Sequence, residues 1–378
     1  MTIVVISMIR DAWGGSEECW YEMAKVGLKH GYKIIHVGYE TPEKHFKLKE
    51  LEALGLIRID RPGWIPLHST AISKFGYLCR NYLRKKINSP LKKAFSFNPD
   101  IVLYNGTCYS IANEKELLTL LKKTNLKFFI IGNLNYETIR QISNNDVEKI
   151  KQAYQLSKKV FFVSERNLQV ARRHLCKDIT NAEIIRNPVN LDSIGQMAFP
   201  SLDSQLQFAC VGNLVTLHKG QDILLETFSK WENKNWILNI YGSGADKDYL
   251  EHLAQYLKIE KQVIFHGTVK DVRNIWKHNH VLIMASHMEG MPLSVVEAML
   301  CGRICIVPDV GGNSEWITDK KNGFLAAAPT VKALLQAIET AYSLQEQWPS
   351  IAAEAHKTAT LLYDPYAGAT LLNRIIAE

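Results

Sequence analysis

Short apolar runs alternate with amphipathic stretches along the chain. "IVVISM" leads into a loop with Gly14-Gly15, then "SEECWYEMAKVGLKH" has helical spacing and ends at Gly31. "KIIHVGY", "DIVLYNG", "KFFIIGN" and "KVFFVSE" follow, each of strand length, rich in β-branched or aromatic residues, and separated by helix-like sequence. Apolar runs of this kind predict parallel strands covered on both faces by helices. The alternation pauses at "IIRNPVNLDSIGQMAFPSLDSQ", where two prolines, Gly195 and several Ser and Asn read as a linker. A second series begins at "LQFACVGN" and continues through "WILNIYGSG", "QVIFHGTV", "HVLIMAS", "RICIVPD" and "GFLAAA". The expected organisation is α/β, with a Rossmann-like domain over 1–190, a linker over 191–205, a second Rossmann-like domain over 206–350 and a helical segment over 351–378 that crosses back. In such domains ligands bind at the C-terminal ends of the strands, facing the crevice.

Composition narrows the class. A hydrophobic content of 47% and a charged content of 22% fit a soluble globular protein, and no apolar run is long enough to span a bilayer. The start reads as a first strand and not as a signal peptide. Seven scattered cysteines (Cys19, Cys79, Cys108, Cys176, Cys210, Cys301 and Cys305), none in a C-x-x-C pair, suit reduced thiols in the cytoplasm. The net charge of +7 is uneven: residues 1–200 hold 30 basic against 19 acidic residues, and residues 201–378 hold 15 against 19. Between Asp60 and Asp100 there is no acidic residue, while Arg61, Lys74, Arg80, Arg84, Lys85, Lys86, Lys92 and Lys93 are basic. Within that stretch Ile72, Phe75, Cys79, Tyr82 and Leu83 fall at helical spacing, which predicts a basic amphipathic helix, either docking residues 72–93 on an anionic membrane surface or simply solvated. No nucleic-acid motif accompanies the charge.

The chemistry concentrates at "SHMEGMPLSVVEAMLCGR", Ser286 to Arg303. "HVLIMAS" is a strand, so "HMEGMP" is a loop at its C-terminal end. Ser294 to Glu297 spells a capping box, which gives Glu297 a structural role, and Gly302 is placed to stop the helix. Glu289 precedes the helix, has no capping role, and sits beside Gly290, where backbone can approach a ligand. The amides of the helix start favour an anion such as phosphate.

"EGMPLSVVE" resembles the E-x7-E signature of the family-4 glycosyltransferases, retaining enzymes of the two-Rossmann GT-B fold with a cleft between the domains. "WGGSEE", "VGNLVTLHKGQDILLETF", "IYGSGADKDYLEHLA", "VIFHGTV" and "DVGGNSEWITDKKNGFLAAAP" resemble further family segments, in the family's order. The resemblance implies roles. Glu289 would hold donor-sugar hydroxyls and Glu297 the ribose. In the donor-binding loop Gly290, Met291, Pro292 and Leu293, the backbone amides of Gly290, Met291 and Leu293 would reach the sugar and diphosphate, and Lys219 would neutralise the diphosphate. Gly14 and Gly15 would face it from the first domain, and Gly267 and Val269 would lie against the base. The N-terminal domain would take the acceptor.

The chain departs from the family at two points. Asn213 stands where an Arg is usual, so a donor-site charge is missing. "FFIIGNLNYE" offers Asn133 and Glu137 where a histidine is common; Asn133 is the candidate to donate to a sugar hydroxyl. His218 beside Lys219 reads as incidental. The acidic pair of "DKD", Asp246 and Asp248, reads as helix capping and not as a metal site, and neither a metal nor a cofactor is expected.

The combined expectation is a retaining glycosyltransferase of the cytoplasm, peripheral on the inner face of the membrane. It takes a nucleotide-sugar and a glycan or polyprenyl-diphosphate-linked acceptor, as in surface-polysaccharide assembly. The alternatives are a nucleotide-sugar epimerase or phosphorylase of the same fold, or a catalytically weak sugar-nucleotide-binding subunit.

Overall fold

The computed structural model describes residues 1–62, 89–140, 142–203 and 205–378. Most of the basic stretch, including the expected helix positions Ile72 to Leu83 and residues Lys74 to Lys86, lies outside the described residues. The chain divides into two compact units, one formed by 1–188 with 364–378 and the other by 189–363.

The first unit has a seven-stranded parallel sheet. In chain order its strands are β1 (Thr2–Ser7), β2 (Lys33–Tyr39), β3 (Ile57–Arg61), β4 (Ile101–Gly106), β5 (Lys127–Gly132), β6 (Lys159–Phe162) and β7 (Ala182–Ile184). Their spatial order is β3-β2-β1-β4-β5-β6-β7. The chain winds outward from β1 to β3 and then returns to β4, so the order reverses between β1 and β4, where such sheets open a crevice. Apart from their first or last residues, β1, β4 and β5 are buried along their length, as strands covered on both faces must be. Two strands escaped the sequence reading. β3 is only partly buried and carries Arg58, Asp60 and Arg61, while β7 has three half-buried residues at the opposite edge.

The second unit has a six-stranded parallel sheet of β8 (Leu206–Val211), β9 (Trp236–Tyr241), β10 (Val263–Gly267), β11 (Val281–Ile283), β12 (Ile304–Pro308) and β13 (Phe324–Ala326), ordered β10-β9-β8-β11-β12-β13. Here the reversal falls between β8 and β11. An aromatic cluster of Phe208, Phe228, Trp231 and Trp236 packs one face.

The segment expected as a linker is fastened to the second unit. Arg303, buried without a carboxylate partner among its hydrogen bonds, donates to the carbonyls of Met197 (3.4 Å), Ala198 (2.9 Å) and Trp276 (2.9 Å from Nε). Arg273 donates to Ser193 O (2.6 Å) and Gly195 O (3.1 Å). These carbonyls satisfy donors that burial would otherwise leave costly. The expected C-terminal segment is itself divided. The helix Trp348–Leu362 stays with the second unit, where His356 Nδ1 lies 2.8 Å from Leu300 O. The helix Ala367–Ala377 packs on the helix Glu18–Lys29 of the first unit. Gly368 makes that contact close: a Cβ there would stand 2.5 Å from the Glu22 carbonyl carbon.

Candidate active site

In the second unit the loops after β8 and β11 meet at the point of strand reversal. The β8 loop turns through the short helix Thr216–Lys219 and ends at Gly220, whose φ is +61°. A Cβ on Gly220 would stand 2.2 Å from Ala285 O, so only glycine lets the two loops close on each other. His218 joins them again, with Nε2 3.1 Å from Met288 O and its own carbonyl accepting from His287 N at 2.9 Å. Burial, reinforced by the charge of Lys219, lowers the His218 pKa to about 4, so the ring is neutral at pH 7 and Nε2–H can donate to the carbonyl. The histidine read as incidental is a fastener.

This closure brings Lys219 Nζ to 2.7 Å from Glu289 Oε1, with both side chains largely buried. Burial pushes the Glu289 pKa upward, but the adjacent Lys219 ammonium outweighs it and holds the carboxyl below its ordinary range. Beneath this loop Gly311, at φ +51°, comes so near that a Cβ would stand 1.9 Å from Glu289 O, and Gly312 N donates to Gly290 O at 3.0 Å.

The helix after Glu289 spans Leu293–Leu300 with Pro292 at its N-cap position and no side-chain cap. The expected capping box therefore does not form: Ser294 is already inside the helix, and the N-cap residue, Pro292, has no backbone N–H for Glu297 to accept from. Glu297 is buried, and its Oε1 accepts from Asn190 N at 2.9 Å. Gly302 ends the helix as expected, at φ +71°, with Gly302 N bonded to Met299 O and Arg303 N to Ala298 O. Gly290, Met291 and Pro292 are buried and Leu293 opens the first turn, whose leading amides have no intrahelical acceptor.

Asn213 is exposed, and its carbonyl accepts from Gln221 Nε2 at 2.9 Å. Gly267 and Val269 lie at the end of the edge strand β10, away from Lys219 and Glu289 in the strand order; Gly267 O accepts from Gly242 N at 2.8 Å. Asp246 occupies the N-cap position of the helix Lys247–Tyr256 but does not cap it. Its carboxylate accepts from Thr216 N (2.7 Å) and Thr216 Oγ1 (2.8 Å), fixing the turn that carries Lys219. Among the described residues no group of three or more His, Cys, Asp or Glu is arranged to hold a metal.

The first unit carries a second polar centre at its own strand ends. Ser7 and Asn105 are in register on β1 and β4. Glu17, in the turn Gly15–Glu17 that Gly14 precedes, is buried between them. It accepts from Ser7 Oγ (2.6 Å), Trp20 Nε1 (2.8 Å) and Asn105 Nδ2 (2.8 Å). Asn105 Nδ2 also donates to Ser16 O at 3.1 Å, which leaves Asn105 Oδ1 to accept from Asn133 Nδ2 at 2.8 Å. Asn133 thus spends its amide hydrogens inside the network, a second bond going to Gly106 O, and its Oδ1 is without a partner. The donor role expected of Asn133 gives way to an acceptor. Glu137 is paired with Arg166 at 2.6 Å.

Both sheets and their reversal points define a GT-B protein with its charged pair in the second unit. Residues 198–358 match the family model described as glycosyl transferases group 1. The chain is 26% identical over 238 residues to an uncharacterized glycosyltransferase of Methanocaldococcus jannaschii, covering 57% of each chain. It is 30% identical over 100 residues to the Escherichia coli UDP-Gal:alpha-D-GlcNAc-diphosphoundecaprenol alpha-1,3-galactosyltransferase, covering 26% of each. The chain thus spans 57% and 26% of the length of these curated relatives. An Anabaena protein solved in complex with UDP and glucose superposes with a TM-score of 0.74 at 16% identity, covering 100% of this chain and 98% of that one, which shows the shared fold. No helix among the described residues is long and apolar enough to cross a membrane.

Proposed function

We propose that the chain moves a sugar from a nucleotide-sugar to an acceptor with retention at the anomeric carbon. The observation that carries this reading is the buried Lys219–Glu289 pair at the reversal point of the second sheet, beside the first turn of the helix Leu293–Leu300. In the transfer, the bond from the anomeric carbon to the diphosphate breaks and its electrons leave with the nucleoside diphosphate. The acceptor oxygen bonds to that carbon and gives up its proton. Negative charge grows on the diphosphate, so a fixed cation and aimed amides stabilise the transition state more than the ground state.

In this reading Lys219 and the amides of Gly290, Met291 and Leu293 face the diphosphate, and Asn213 adds an uncharged donor. Glu289 takes hydroxyls of the donor sugar, Glu297 the ribose, and Gly267 and Val269 the base. The first unit receives the acceptor. The UDP-galactose named for the E. coli relative and the UDP and glucose held by the Anabaena protein support a uridine diphosphate sugar as donor. The lipid-linked substrate named for the E. coli relative supports a polyprenyl-diphosphate-linked acceptor.

A thermal-shift panel of UDP-, GDP-, ADP- and dTDP-sugars tests the donor, because a ligand of the native state alone raises the melting temperature. A UDP-sugar is expected to raise it, and Lys219→Ala to cancel the rise. No shift with any member of the panel would overturn the reading.

A further inference from the structure

The chain enters the second unit at Val189 and leaves it after Tyr363. Both points are held close to the helix that follows the Glu289 loop. The Asn190 amide donates to Glu297 Oε1 at 2.9 Å, and the Val189 amide lies 3.5 Å from the Tyr363 hydroxyl. Tyr363 ends the helix Trp348–Leu362, which packs against Leu293–Leu300. A few residues on, the carbonyls of Ser193 and Gly195 accept from Arg273, so the segment that carries the Asn190 amide is fixed on both sides of it.

Glu297 stands about 6 Å along the helix axis from Leu293. Helical side chains lean toward the N-terminus, so this carboxylate is directed to the first turn, whose amides the reading above gives to the diphosphate. It is buried, and a carboxylate accepts from several donors at once. A backbone N–H fixed in direction settles which way its remaining lone pairs face. Fastening alone does not call for an acid here, because a main-chain carbonyl would satisfy the Asn190 amide without burying a charge.

We propose that Asn190 is a positioning residue of the donor site: its amide orients the Glu297 carboxylate toward the ribose hydroxyls, at the point where the chain enters the second unit. This deepens the transferase reading and rests on the ribose role given there to Glu297. The coupling is reciprocal. A ribose that holds Glu297 in place must steady the Asn190 amide to the same degree, so the entry to the second unit registers whether the nucleotide is bound.

The test uses the full chain with UDP and its 2′,3′-dideoxy analogue, which differ only in the ribose hydroxyls. The wild type is expected to prefer UDP by about tenfold, the size of a lost charge-assisted hydrogen bond. Asn190→Pro removes the N–H and should bring the two affinities together, while Asn190→Ala keeps the N–H and should restore the preference. Hydrogen exchange of the wild type reads the same coupling without a variant: UDP should slow exchange of the Asn190 amide more than the dideoxy analogue does. A preference unchanged in Asn190→Pro overturns the positioning role, as does its loss in Asn190→Ala as well, which would assign it to the side chain. If Asn190→Pro does not fold, equal exchange with the two nucleotides overturns it. A wild type that binds both nucleotides equally overturns it too and leaves the transferase reading standing. A wild type that binds neither overturns both.

Discussion

Lys219 Nζ lies 2.7 Å from Glu289 Oε1, so each of the two groups is the buried counter-charge of the other. Removing one leaves its partner unpaired in a poorly solvated place, which costs more than the pair contributes. Lys219→Ala and Glu289→Ala are each expected to lower transfer by about 10²–10³. The carboxyl of Glu289 should also rise in pKa in Lys219→Ala, because burial then loses its main opponent. Steady-state rates with a saturating UDP-sugar check the first outcome, and the pH profile of donor binding the second. Near-native turnover in either variant would take that residue out of the site.

Gly311→Ala is expected to damage the site although its side chain would touch no substrate. The Cβ would collide with Glu289 O, and φ +51° disfavours any side chain. Overpacking and a left-handed conformation together should cost about 2–4 kcal/mol. Urea unfolding reads this loss, and a donor titration reads the displaced Glu289 loop. An unperturbed variant would mean that the loops have slack.

Glu297→Gln separates two roles. A Gln oxygen can still accept from Asn190 N, so stability should change little. If the carboxylate also holds a ribose, affinity for the nucleotide-sugar should fall about tenfold, in line with losing a charge-assisted hydrogen bond. Calorimetric titration beside a melting curve distinguishes the two, and unchanged affinity confines Glu297 to fastening residues 189–205.

Trp20 sits between two groups with opposed pH responses. Glu17 bonds its indole nitrogen, and the buried His36 ring stacks on it at 4.5 Å with neither ring nitrogen hydrogen-bonded. Burial raises Glu17 from 4.5 to about 7, so its contribution to stability is full below pH 4.5 and is lost as pH rises through 7. Burial, with Arg58 nearby, lowers His36 from 6.5 to about 3, so its contribution is full above pH 6.5 and is lost as pH falls through 3. His36→Leu should therefore gain on the wild type by about 1.4 kcal/mol per pH unit below pH 6.5. Denaturant unfolding of both proteins between about pH 4 and about pH 8 gives the difference curve. A flat difference would show His36 titrating normally in the folded chain.

Asn213→Arg asks whether the missing charge matters. Asn213 is exposed, so an Arg has room, and donor affinity is expected to rise. Unchanged or weaker binding of the UDP-sugar would show that the diphosphate is served by other groups.

The strands with continuous apolar runs were legible in the sequence, because burial on both faces leaves no alternative composition. β3 and β7 were not, since edge strands need less burial and theirs reads as loop. The cluster of Gly290, Glu289 and Lys219 was legible from a motif, but its supports were not. Asp246 looked like a cap and braces Thr216; His218 looked incidental and ties two loops. Glu17, Asn105 and Asn133 form a chain only because Ser7 and Asn105 fall in register, a relation between strands about a hundred residues apart in sequence. The capping box failed because Pro292, and not Ser294, takes the N-cap position, which moves the helix start two residues earlier and leaves no N-cap N–H for Glu297.

Gly368 gives the order of synthesis a structural meaning. The helix it belongs to rests on Glu18–Lys29, made more than three hundred residues earlier, with the whole second unit between. On a ribosome, which releases domains from the N-terminus onward, residues 1–188 must wait with that helix face uncovered while 189–363 emerge as one continuous stretch. The unit begun first is then the unit finished last, and Gly368→Val, by blocking the close approach, should trap nascent chains with a native second unit and a protease-sensitive first one.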